Sequence, residues 1–235
     1  MEGARPVTDS RDNVLAAVAR GVRVGALPPD ATLEHPGAPP PVARPADRES
    51  LVDVFTRQLH TLMGVVYRVA DDEAAVAQVA ALLEARGVGR VLAWDDAYLE
   101  PAGLGGALRA RGVTLEPCTL PSTGPERYQR LQALDDVAVG LTGAFGALAE
   151  TGSLVAVSGP GRGRIASLLP PVHIAVVRAE QLATGLGSFL AAHPEAADAG
   201  SNLVIITGPS RTGDIEGTLV LGVHGPGELH VVLIG

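Results

Sequence analysis

The sequence predicts an α/β domain, a mostly parallel sheet with helices on both faces and an antiparallel C-terminal hairpin. Three observations predict it. Strand-like and helix-periodic segments alternate from residue 48 onward. The chain is 46% hydrophobic but only 3% aromatic. Its core must therefore be aliphatic, as alternating strands and helices favour. The last two apolar runs are separated by Gly225, Pro226 and Gly227, a turn signal.

In chain order, Ser10 is placed to cap a short helix carrying Val14, Leu15, Val18 and Val22 on one side. Gly21 and Gly25 weaken its end. This is the N-terminal helical segment, residues 1–25; it either covers the chain's own core or docks on another subunit. Residues 26–47 are dense in proline, which prevents helix and sheet alike, so they form an extended linker. The main domain covers residues 48–235. Leu51, Val54, Phe55, Leu59 and Leu62 recur at helical spacing, and residues 63–69 form a buried strand. Asp71 or Asp72 caps a helix whose inner face is Val76, Val79, Leu82 and Leu83; Gly87 stops it. Strands follow at 89–94, 113–117 and 136–142, separated by helices through Leu104 and Leu108 and from Arg127 to Leu134. The second half is strand-rich, with runs at 153–159, 172–177, 202–208, 218–225 and 228–235. Residues 179–192 read as its one good helix, and the last two runs as an antiparallel hairpin near a sheet edge.

Composition excludes several classes. The net charge of −8 shows no basic face for tracking phosphates, so nucleic acid is not an expected partner. Cys118 is the only cysteine, which rules out an intrachain disulfide and a four-thiolate iron–sulfur cluster held by this chain alone. Cys118 itself reads as an ordinary buried thiol. No secretory signal and no apolar run of about 20 residues is present, so the expected compartment is the cytoplasm. His224 and His230 are spaced to meet across the hairpin, but no zinc-type spacing occurs and no metal site is expected. Neither a P-loop, a dinucleotide fingerprint nor a G-x-S-x-G elbow is found.

Ligands of open α/β sheets bind outside the carboxyl ends of the strands, so the polar, glycine-rich segments after strands are where chemistry is sought. The first, residues 141–155, carries Thr142, Gly143, Glu150, Thr151 and Gly152. Glu150 suits a base, a nucleophile or a hydroxyl acceptor; the alternative is a solvated turn capped by threonine. The second, residues 158–174, carries Gly159, Arg162 and Arg164, an anion nest with added charge. His173 after it reads more naturally as a core residue than as a catalyst. The third, residues 206–226, carries Gly208, Ser210 and Thr212, hydroxyls and free amides suited to a phosphate or carboxylate. Asp214 and Glu216 follow at alternating spacing and point the same way if extended, for a shared metal, acid–base work or sugar-hydroxyl contacts. The alternative is a capping Asp214 and a wet-edge Glu216. Together the three segments are expected to form one cleft, with Glu150, Asp214 and Glu216 handling hydroxyls or protons.

The run ITGPSRTGDIEGTLVLGVHGPGELHVVLI, with LTGAFGALAETGSLV and GRIASLLPPVHIAVV upstream in the same order, resembles the lactate-utilization protein C (LutC) family with its LUD domain. The likeness covers essentially the whole chain and is most specific from about residue 137; Gly213 departs from the alanine often found there. The resemblance implies a fold of the NagB/RpiA/CoA-transferase group. It also implies a place in a three-component bacterial system oxidising L-lactate to pyruvate, whose other two proteins carry the iron–sulfur clusters. This chain would be the cluster-free component, with no cofactor of its own, acting as an accessory or ligand-binding subunit. A stand-alone enzyme acting on a phosphorylated or acyl-carrier small molecule, and a flavin- or nucleotide-binding electron carrier, are the other readings.

Overall fold

A computed structural model describes residues 8–25, 47–213 and 219–235. The chain divides into two compact units, residues 1–43 and 44–235, each described by itself. In the first, helix α1 (Thr8–Gly25) begins ahead of Ser10, which lies inside it rather than capping it, and continues through Gly21.

The second unit opens with α2 (Arg48–Thr61) and β1 (Val65–Val69), followed by α3 (Asp72–Glu84) and β2 (Arg90–Ala93). Next come α4 (Leu104–Ala110), β3 (Thr114–Pro117), α5 (Pro125–Gln132) and β4 (Val139–Thr142). Both long helices start where carboxylates can satisfy free amides. Asp47 accepts from the Ser50 amide at 2.7 Å and Asp71 from the Ala74 amide at 2.8 Å.

The second half contains β5 (Gly146–Leu148), β6 (Ser153–Ser158), β7 (Val172–Arg178), β8 (Leu182–Ala183) and α6 (Leu186–Ala192). It closes with β9 (Asn202–Ile206), β10 (Arg211–Gly213), β11 (Leu219–Leu221) and β12 (Glu228–Ile234). The expected helix over 179–192 is thus only half helical: its start is a 3-10 turn and the short strand β8, and helix begins at Leu186. Strand β5 has no counterpart in the sequence reading.

The central sheet is six-stranded and wholly parallel, in the order β1-β12-β7-β4-β2-β3. Successive residues of its inner strands feed opposite faces, which is why those strands are apolar without alternation. Val176, Val232 and Ile234 pack with Val79, Leu82 and Leu83 of α3. Ala175, Val177, Val231 and Leu233 pack with Val52, Phe55 and Leu59 of α2. Helices therefore lie on both faces. The α2 face also carries a four-stranded second sheet, order β8-β5-β6-β9, through Ala147 and Leu154.

An antiparallel hairpin is present, but between other partners than expected. β10 pairs with β11, Arg211 opposite Leu221. β12 leaves β11 behind and enters the central sheet in parallel between β1 and β7, with Val231 beside Val66 and Ala175. The Gly-Pro-Gly turn redirects the chain instead of reversing it beside itself. His230 consequently lies in β12 against Tyr67, Arg86 and Glu228, while the His224 amide donates to Ser210 Oγ; the two histidines do not pair.

Candidate anion-binding site at the carboxyl edge of the central sheet

β6 joins the first glycine-rich segment to the second. Its Ser153 end meets Thr207 and its Ser158 end pairs with Asn202, about 17 Å away for six extended residues. The three glycine-rich segments consequently separate into two groups at opposite edges instead of lining one cleft.

Glu150, Thr151, Gly152, Gly208, Ser210 and Thr212 belong to the amino edge. Gly152 adopts φ 61°, and a Cβ there would lie 2.5 Å from the Leu59 amide nitrogen, so only glycine lets this turn seat against α2. Ser153 Oγ donates to Thr151 Oγ1 at 2.8 Å and lies 2.8 Å from Thr207 Oγ1. Gly208 packs on Leu62. Ser210 donates its amide to Pro226 at 2.8 Å, accepts from Gly222 at its carbonyl at 2.9 Å, and accepts from the His224 amide at its Oγ at 3.3 Å. That hydroxyl serves the hairpin base. Thr212 pairs with Val220 inside the hairpin. Asp214 and Glu216 lie outside the described residues.

Thr142, Gly143, Gly159, Arg162 and Arg164 belong to the carboxyl edge. Thr142 is buried, and its hydroxyl lies 2.9 Å from His173 Nε2. Burial pushes the His173 imidazole down to about 4. Its Nδ1 is buried without a hydrogen-bond partner among the described residues. This pair is neutral core, as the lone-strand reading of His173 held. Gly143 sits where a Cβ would overlap the Tyr98 carbonyl oxygen, so the loop after β2 can close down on the end of β4.

The second glycine segment folds over the ends of β2 and β3. The Asp95 amide donates to the Gly161 carbonyl at 2.7 Å, Trp94 Nε1 to the Gly163 carbonyl at 3.2 Å, and the Gly163 amide to Cys118 Sγ at 3.0 Å. Cys118 is buried, and burial raises its thiol above the ordinary range, so it forms a wall and not a nucleophile. From this loop Arg162 lays its guanidinium over the Tyr98 ring, 4.7 Å from the centroid, and donates to the Ala199 carbonyl at 2.7 Å. Its Nε is buried and unpartnered, and no described carboxylate lies within ion-pair distance. Arg164 is exposed.

Arg162, Trp94, Tyr98, Glu100 and Gln181 border a cavity of about 130 Å³. Glu100 is held by Arg178, with Nε to Oε2 at 2.9 Å, and Arg178 also reaches Asp72 at 2.8 Å. The cavity thus offers one cation without a carboxylate partner and three aromatic walls, with its one carboxylate paired to Arg178 and its glutamine amide bonded to Arg178 and Ala144. It is equipped to hold a small anion. Trp94, Tyr98, Glu100 and Gln181 were missed from sequence. Extending the carboxyl-end rule to the strand at 89–94 and its polar successor DDAYLE would have reached the first three.

Among the described residues, no group of three or more His, Cys, Asp or Glu is placed to hold a metal, and no helix is long and apolar enough to cross a membrane.

Comparison with known proteins places these features in a family. The LUD domain profile matches residues 52–234. A protein named lactate utilization protein C from Halalkalibacterium halodurans is 30% identical, with 92% of this chain and 91% of that one covered. One of the same name from Deinococcus radiodurans is 30% identical over 84% of this chain and 85% of its own length. The crystal structure of a DUF162 family protein from Deinococcus radiodurans superposes with a TM-score of 0.57. It is 24% identical and covers 81% of this chain and all of that one, a likeness of fold. From residue 52 to residue 234, and so through both edges of the central sheet, the chain belongs to the LUD domain family.

Proposed function

We propose that this chain is the cluster-free component of a bacterial L-lactate utilization system. In this reading it works in the cytoplasm beside iron–sulfur partner proteins as a ligand-binding or accessory subunit. The similarity to lactate utilization protein C along nearly the whole chain supports the system. The single cysteine supports a component without a cluster of its own. Arg162 carries the ligand-binding part: a guanidinium anchored on Tyr98, without a carboxylate partner among the described residues, bordering a cavity of about 130 Å³. At ~30 Å³ per water, that space equals roughly four waters, the scale of a three-carbon carboxylate. The lining residues supply no nucleophile beside a free base, which favours binding over turnover. Asp214 and Glu216 retain the role drawn from sequence, contacts to hydroxyls or protons.

The test is growth on L-lactate after in-frame deletion of the native gene. Complementation uses wild type, Arg162→Gln, or Asp214→Ala with Glu216→Ala. Wild type restores growth; a folded Arg162→Gln slows it at least several-fold if the carboxyl-edge cavity works in the system. Loss only in the acidic double variant moves the working site to Asp214 and Glu216. Normal growth of the deletion strain overturns the lactate role and brings forward the stand-alone enzyme reading.

A further inference from the structure

A second cavity, of about 580 Å³, opens on the outer side of the glycine loop, between the loop after β3, helix α5 and the segment leading into β7. Its volume is that of a metabolite site and several times that of the Arg162 cavity. Two features define its chemistry. The first is charge. Arg127 and Arg164 border it, no Asp or Glu does, and neither arginine has a carboxylate partner among the described residues, in a chain whose net charge is −8. Asp95 approaches the loop at Gly161 but does not line the cavity. The amides of Gly161, Arg164 and Ile165, residues that line the cavity, donate to no other described residue. The second feature is apolar surface. Leu120, Leu131 and Ile165 form a wall, and Leu168 and Leu169 stand at the rim 45% and 36% exposed, an uncovered aliphatic shelf beside the cationic end.

We propose that this cavity binds a small amphiphilic anion, a carboxylate or phosphate monoester on an aliphatic body, with its charged end at Arg127 and Arg164 and its body along Leu120, Leu131 and Leu168. A bare inorganic anion would leave the leucine shelf wet, and a neutral apolar molecule would leave the guanidiniums unpaired. The inference goes beyond the lactate reading and does not depend on it.

Trp94 is the only tryptophan, and its indole donates to the Gly163 carbonyl of this loop, so its fluorescence reports on the site. The full chain is titrated with hexyl phosphate, hexanoate, inorganic phosphate and 1-hexanol, by fluorescence and by calorimetry. One of the two charged amphiphiles is expected to bind saturably and at least tenfold more tightly than both inorganic phosphate and 1-hexanol. Whichever of the two prevails identifies the headgroup. Raising salt from about 0.05 to 0.5 M should weaken that binding several-fold, a readout that needs no variant. Arg127→Gln with Arg164→Gln should weaken it at least tenfold with melting temperature unchanged, both side chains being at the surface. Leu168→Ser should weaken the amphiphile but not inorganic phosphate. Equal binding of 1-hexanol, equal binding of inorganic phosphate, full binding by the double arginine variant, or no saturable binding by either amphiphile overturns the proposal. Because the readout is binding to the purified chain, its failure leaves the growth test untouched, and the converse holds.

Discussion

His173 shows how one residue's setting decides its role. It is 1% exposed, and burial holds its imidazole neutral down to about pH 4. Above pH ~6.5 both folded and unfolded chains carry it neutral. As pH falls from 6.5 toward 4 the unfolded chain takes up a proton that the native one refuses, so stability declines through that window by about 3 kcal/mol in all. Below the folded value the effect saturates. His173→Leu loses the bond to Thr142 and is less stable near neutrality. Its urea-unfolding free energy should nevertheless fall more gently between pH 6.5 and 4.5 than that of wild type. Equal slopes would mean that the native imidazole protonates normally. The sequence reading of His173 as a core residue stands, but its Thr142 partner was not foreseen. Thr142 was assigned to a ligand because it follows a strand. Which face of the sheet it serves depends on the register of β4 against β7, Gly140 beside His173 and Thr142 beside Ala175.

At the scale of elements, the join between β2 and β3 relies on Arg90. Its guanidinium reaches Glu116 at 3.0 Å, Asp136 at 2.7 Å and the Ala133 carbonyl at 2.7 Å; Arg130 of α5 adds a second contact to Glu116 at 3.0 Å. Arg90 beside it, and then Arg130, hold the Glu116 carboxyl below the usual carboxylate range. This edge of the sheet is only four residue pairs long, so the network ties β3, α5 and the approach to β4 together. Arg90→Ala should lower the urea midpoint at unchanged slope. Arg90→Lys should recover only part of that, because an ammonium cannot fork to three acceptors as a planar guanidinium does. An unchanged midpoint in Arg90→Ala would show the network to be screened by solvent. Helices were the more legible elements here. Periodicity located α2, α3 and α4, and of the two caps the sequence offers for α3, Asp71 and Asp72, the structure uses Asp71. The 179–192 stretch misled because its apolar spacing suits a helix, whereas Gly185 and the pairing of Leu182 with Ala147 start the helix only at Leu186.

For the whole molecule, the last strand matters most. β12 stands between the first strand and β7, so the sheet cannot close until the C-terminal residues arrive. Val231 is fully buried between Val66 and Ala175. Val231→Asp should cost ~4 kcal/mol or more and abolish the cooperative unfolding transition, since the carboxylate has no partner there. Val220→Asp, in the hairpin and 43% exposed, should shift stability by less than ~0.5 kcal/mol. Comparable losses in both would mean that β11 is as central as β12. A differential scanning calorimetry pair decides between them.

The sequence by itself determined the class of fold, the aliphatic core, most of the strands and helices and, through the run from residue 137 to 235, the family. These are local matters: periodicity, caps, turn residues and motif order are written in neighbouring residues. Tertiary structure decided what joins distant ones. It sent β12 into the sheet beside β1, although the Gly-Pro-Gly turn suggested a hairpin. The clue was the unbroken apolar run VVLI, residues 231–234, which suits a strand covered on both faces rather than a half-wet edge. It also divided one expected cleft into two edges, because extended β6 holds Ser153 and Ser158 apart, and spacing along a chain says nothing of where a strand's ends point. And it gave Arg162 its meaning: Tyr98 and Gln181, the groups around it, lie far away in sequence, and only the fold brings them to one cavity.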